Sequence, residues 1–107
     1  MTNYVLVYTG GSGMGMSEEQ QTAIMAEWGA WYGKLGDAIV DGGNPFGASK
    51  NISKSGVSDG PASSPAATGY TVISAQSLDD AVAKSKDHPH IKHGGEVTVY
   101  ETFQVDG

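Results

Sequence analysis

The sequence predicts an α+β domain of the ferredoxin-like kind, with βαββαβ order on an antiparallel sheet. Three observations carry this. Apolar runs rich in β-branched and aromatic residues recur at 4–8, 38–41, 69–73 and 96–103. Two of the stretches between them open with helix-capping residues. The resulting order is strand, helix, strand, a loose hairpin, strand, helix, strand, within one domain spanning 1–107.

Tyr4-Val5-Leu6-Val7-Tyr8 is a continuous apolar run, read as a strand covered on both faces. The glycine-rich loop Gly10–Gly15 follows, and Ser17 with Gln20 three residues later forms a capping box. Glu18 and Glu19 suit the positive end of the helix dipole. Ile24, Trp28, Trp31 and Leu35 recur on one helical face, and Gly36 is a natural stop. Gly29 and Gly33 each cost that helix roughly 1 kcal/mol relative to alanine. Either another backbone approaches there or the tryptophans anchor the helix.

Ala38-Ile39-Val40-Asp41 is a short strand closed by the turn Gly42-Gly43-Asn44-Pro45. Residues 47–69 are dominated by Gly, Ser, Ala and Pro, and read as a hairpin around Ser55-Gly56 or as a loop. Gly69–Ile73 is a strand, and Ser77 caps a second helix with Asp79 and Asp80 in its first turn. The segment 87–95 connects it to the last strand, which places Val97, Val99 and Phe103 on one face.

Composition narrows the function classes. Net charge is −6, and all six basic residues are lysines. A phosphate backbone needs a positive face, so no nucleic-acid partner is expected. Without arginine there is no bidentate clamp for carboxylate or phosphate. Cysteine is absent, which removes disulfides, thiolate nucleophiles and cysteine-based zinc sites. No apolar run is long enough to span a membrane and no signal peptide is evident, so a cytoplasmic protein is expected. The loop Gly10–Gly15 lacks both a dinucleotide glycine at Met16 and a P-loop lysine before Ser17, which argues against nucleotide binding.

Two helices cover only one face of the sheet. The other face would carry alternate strand residues, with Thr71, Ile73, Thr98 and Tyr100 among the candidates. That surface is too apolar to stand bare, so a homodimer is expected in which two sheets face each other around a barrel-like interior.

Several ordered motifs resemble the YCII-related, DGPF-type family. They are Trp28-Gly29-Ala30-Trp31, Leu35-Gly36-Asp37-Ala38, Asp41-Gly42-Gly43, Asp59-Gly60-Pro61, Ser77-Leu78-Asp79-Asp80-Ala81, His88-Pro89 and Gly94-Gly95-Glu96-Val97-Thr98-Val99. The resemblance implies a dimeric α+β barrel of mostly unassigned role, with some relatives thought to be enzymes using a His–Asp pair. The chain departs from that pattern at Ala62, where the motif has Phe, and in its first helix, which has no histidine. Asp41 would match the acidic partner.

Two candidate sites stand out. His88, His90 and His93 form an H-x-H-x-x-H spacing, and neutral imidazoles are ligands for zinc, nickel or copper. The competing reading is a polar connection before the last strand; no cofactor is expected, with a divalent metal as the alternative. The second candidate is a pocket combining Trp28, Tyr32 and Asn44 as ligand-binding groups with Asp41 and His88 as acid and base. The reading favoured by these residues is a dimeric binder of a small organic ligand held between sheet and helix. A lyase or isomerase moving a proton through Asp41 and His88 is the first alternative, and a ligand-free interaction or regulatory module the second.

Overall fold

In a computed structural model, residues 2–10, 17–61 and 66–103 are described. The elements are β1 (Thr2–Gly10), α1 (Glu18–Leu35), a 3-10 turn at Gly36–Ala38, β2 (Ile39–Asp41), β3 (Lys50–Ser53), β4 (Gly56–Asp59), β5 (Ala67–Ala75), α2 (Leu78–Ser85), α3 (Pro89–Lys92) and β6 (Gly95–Glu101). Strands β2, β5, β1 and β6 lie side by side in that order, and each pair is antiparallel. With β3 and β4 set aside as a separate two-stranded hairpin, this is the ferredoxin-type order. The glycine loop expected at Gly10–Gly15 begins at the last residue of β1, and its remainder lies outside the described residues.

The capping box at α1 forms as expected: Gln20 N–H donates to Ser17 Oγ at 3.2 Å, and Ser17 N–H donates to Gln20 Oε1 at 3.0 Å. Ser17 is thus the N-cap, which places Trp31 inward among the core residues. A Cβ built at Gly29 or Gly33 meets nothing within 4 Å, so no backbone presses on the helix there. The tryptophans hold it instead. Trp31 is buried, and its indole N–H donates to the Lys84 carbonyl of α2 at 3.2 Å. Lys34 of α1 pairs with Asp87 just beyond α2. The same ammonium holds the Asp87 carboxyl below its ordinary range.

Strict alternation along β1 buries Tyr4, Leu6 and Tyr8 beneath the helices. The register pairs these with Ile73, Thr71 and Gly69 of β5, and Leu6 and Tyr8 with Val99 and Val97 of β6. Thr71 and Ile73 therefore face the helices, not the open side expected from the sequence. A strand's period of two turns one misassigned residue into a whole misassigned face. The open side carries Val5, Val7, Val72, Tyr70, Thr98 and Tyr100.

Segment 87–95 contains the short helix α3, which the sequence reading left as a connection. Pro89 occupies its first turn and the His88 ring caps it by accepting from His90 N–H. The hairpin around Ser55-Gly56 does form, with Lys50 paired to Asp59 at 2.6 Å. It stands in solvent: Ile52 and Val57 are 78% and 65% exposed. Among the described residues no helix is long and apolar enough to cross a membrane.

Candidate functional site

His88 is fully buried, boxed in by three aromatic rings. Its centroid lies 4.4 Å from Trp28, 4.3 Å from Trp31 and 4.8 Å from Tyr8. Both ring nitrogens are occupied. His90 N–H donates to Nδ1 at 2.9 Å, so Nδ1 carries no proton and Nε2–H must donate, to Tyr8 Oη at 3.0 Å.

An independent argument from the far end of the chain of bonds reaches the same tautomer. The Gly42 carbonyl only accepts; it takes the Thr71 hydroxyl proton at 3.1 Å and the Tyr32 hydroxyl proton at 2.9 Å. Thr71 has no second proton, so Tyr8 must donate to Thr71 Oγ1, at 2.6 Å. Tyr8 then accepts from His88. The order is fixed throughout: His90 N–H to His88, His88 to Tyr8, Tyr8 to Thr71, Thr71 to the Gly42 carbonyl.

Burial dominates the titration of this chain. It pushes the His88 pKa down to about 4, with the neighbouring His90 adding to the shift and Asp87 opposing it. Burial likewise raises the Tyr8 phenol well above its ordinary value, against a lowering contribution from the Thr71 hydrogen bond. Both groups are neutral at physiological pH.

Asp41 lies elsewhere. Its Oδ1 accepts from Gly43 N–H at 2.9 Å, and Oδ2 lies 3.5 Å from the Tyr70 hydroxyl. The Asp41–His88 acid–base pair expected from the sequence is therefore not formed. Asp41 instead closes the turn that aims the Gly42 carbonyl at Thr71 and Tyr32. That turn is tight: Gly43 has φ 75°, and a Cβ there would sit 1.7 Å from the Tyr70 carbonyl oxygen.

A cavity of about 810 Å³ opens between α1, α3 and the turn after β2. Trp28 and Tyr32 form walls, Asn44 sits at the turn side, and Tyr8, His90 and His93 complete the lining. Three expected ligand-binding residues, Trp28, Tyr32 and Asn44, are thus brought together. Asp41 and His88 are not among the lining residues. At the mouth, Glu27 of α1 accepts from His93 Nε2 at 2.8 Å and from Lys92 Nζ at 3.1 Å. The bond to His93, then that to Lys92, holds the Glu27 carboxyl below its ordinary range.

The three histidines do not converge on a point. His88 faces Tyr8, His90 Nε2 lies 2.8 Å from the Thr9 carbonyl, and His93 faces Glu27. Among the described residues, no three His, Cys, Asp or Glu side chains gather as metal ligands would. The cause is α3: its turns rotate His90 and His93 to different neighbours, which the expected extended segment would not do.

No known protein family model matches the chain, and no curated protein matches it. A search of solved structures finds 5-chloro-2-hydroxyhydroquinone dehydrochlorinase from Burkholderia phenoliruptrix, in complex with 2,5-dihydroxybenzoquinone. The TM-score is 0.55 at 18% identity, covering 94% of this chain and 93% of that one. At that identity the likeness establishes a shared ferredoxin-type α+β barrel fold.

Proposed function

We propose that this chain binds a small cyclic organic ligand in the cavity beneath α1. The observation that carries the reading is the cavity itself, about 810 Å³ with aromatic walls and a few polar groups at its rim. Ligand sites have this size and composition. A flat ring would lie against Trp28 and Tyr32, with Asn44 and His90 within the same lining. A proton shuttle through Asp41 and His88 finds no support in the geometry, because both are committed to other partners. A second copy covering the open sheet face would complete a dimeric barrel; Tyr100 and Val40 on that face are 55% and 53% exposed.

Gly29 provides a clean test, because it lines the cavity and a side chain there meets nothing within 4 Å. Gly29→Leu favours the helix while filling the cavity. Calorimetric titration with phenol, hydroquinone, benzoate, cyclohexanol and 2,5-dihydroxybenzoquinone should give saturable binding of at least one to the unmodified protein. Gly29→Leu should weaken it more than tenfold while leaving the fold intact. Saturable binding of none of the five would overturn the reading in favour of an interaction module.

A further inference from the structure

The polar atoms lining the cavity differ in what they can offer a ligand. The Tyr8 proton is directed to Thr71 and the Tyr32 proton to the Gly42 carbonyl, so neither hydroxyl presents a hydrogen to the cavity. No lysine lies among the lining residues, and His93 is engaged by Glu27. Among the described lining residues the hydroxyls of Tyr8 and Tyr32 therefore offer acceptors and not donors, while the Asn44 amide can do both.

His90 supplies the complementary feature. Its Nε2 lies 2.8 Å from the Thr9 carbonyl, which only accepts, so Nε2 carries the proton. In the neutral ring this leaves Nδ1 as a bare lone pair. Among the described residues no group bonds to Nδ1. Yet among the described residues no buried side-chain nitrogen or oxygen lacks a partner, so Nδ1 is not buried. It is the open nitrogen of a ring that lines the cavity.

The ring is also rigidly seated. It lies flat on Gly95, where a Cβ would come within 2.1 Å of Nε2, and its centroid is 5.3 Å from that of Tyr8. Only a glycine at the start of β6 leaves this seat open. An imidazole pinned at one nitrogen and open at the other is preorganised to accept, so little ordering cost falls on binding.

We propose that His90 Nδ1 is the acceptor that selects a hydroxyl-bearing ring: a neutral phenol or hydroquinone donates its O–H to Nδ1 while its ring lies between Trp28 and Tyr32. This rests on the cavity being a ligand site and adds the chemical class it takes. The lining hydroxyls of Tyr8 and Tyr32 can accept further hydroxyl protons but donate none, so a polyhydroxylated ring meets more partners than its ether does.

A matched probe pair tests it. Hydroquinone and 1,4-dimethoxybenzene share a ring, and only the first donates. The unmodified protein should bind hydroquinone about 3- to 10-fold more tightly, the range of one net hydrogen bond. His90→Leu removes the ring acceptor and should abolish the preference. On the unmodified protein, hydroquinone but not its dimethyl ether should shift the His90 Nδ1 resonance in ¹⁵N NMR. That measurement decides the matter even if the variant folds poorly. Equal affinity for the two probes, or a preference that survives in His90→Leu with Nδ1 unmoved in the unmodified protein, overturns the role of His90 alone. Binding of neither probe, with other rings still bound, also overturns this class. Binding of no ring at all overturns the ligand site beneath it.

Discussion

The two faces of the sheet are built from the same strands and end in different states. On the helix side, Tyr4, Leu6, Tyr8, Thr71 and Ile73 are buried, and every polar atom among them is partnered within the chain. On the other side, Val5, Val7, Tyr70 and Val72 run in a β-branched and aromatic row, and none of them is among the fully buried residues. The difference lies in where each face finds its partners. A face holding hydroxyls and an imidazole needs donors and acceptors placed to within a few tenths of an ångström, and one chain supplies them by threading four strands and three helices past each other. A largely apolar face needs mainly area, which the proposed second copy of the same surface would provide.

The largest test of the finished face is acid. His88 has a pKa near 4 in the folded chain and near 6.5 when unfolded. Between these values the unfolded chain binds more protons, so stability falls as pH drops from about 6.5 toward 4, by roughly 3 kcal/mol in all. Protonation would also place Nδ1–H against the His90 N–H that now donates to it. Glu27, Asp80 and Asp87 are held low by cationic partners and act only below the ordinary carboxylate range, so the window above about pH 4.5 belongs to His88. Urea unfolding at successive pH values should show the slope; a flat profile there would mean that water reaches the imidazole.

A smaller effect contrasts the faces directly. Tyr8→Phe leaves the buried His88 Nε2–H without an acceptor and takes from Thr71 Oγ1 the proton it accepts, and should cost about 1–3 kcal/mol. Tyr100→Phe on the open face should change stability by less than about 0.5 kcal/mol. Equal losses in chemical unfolding would mean that the buried relay contributes nothing special. The smallest change within a folded chain should come from Val7→Lys, about 0.5 kcal/mol from strand preference. Its consequence for assembly should be large, with light scattering falling from the mass of two chains to that of one. A single-chain mass for the unmodified protein would remove the second copy from the account.

Much of the fold was legible because its signals are local. The capping residues Ser17 and Ser77, the stripe through Trp28 and Trp31, and the Asn44-Pro45 turn are each read within a few positions. The parity of β5 was not local. Whether Thr71 faces in or out depends on its pairing with Leu6, 65 positions earlier, and no residue near Thr71 announces it. The helix α3 had a signal, proline at its first position behind a residue able to cap, but four residues leave no periodicity to read. For the site, the aromatic walls followed from helix spacing. The relay did not, because Tyr8 and Thr71 read as ordinary strand formers and their hydroxyls acquire meaning only once register brings them 2.6 Å apart.

The relay spans the chain in another sense. Apart from the local His90–His88 bond, its bonds join positions 80, 63 and 29 apart, so no short segment can make those three early. Each must wait for loops to close that give no reward until the central strands are already paired. Tyr8, which the relay shares with the cavity lining, is therefore seated in full only once those distant pairings are made. A partly made chain, or one whose β6 has slipped away, has no weakened version of the pocket to offer. A ligand taken into that cavity would therefore meet it complete or not at all.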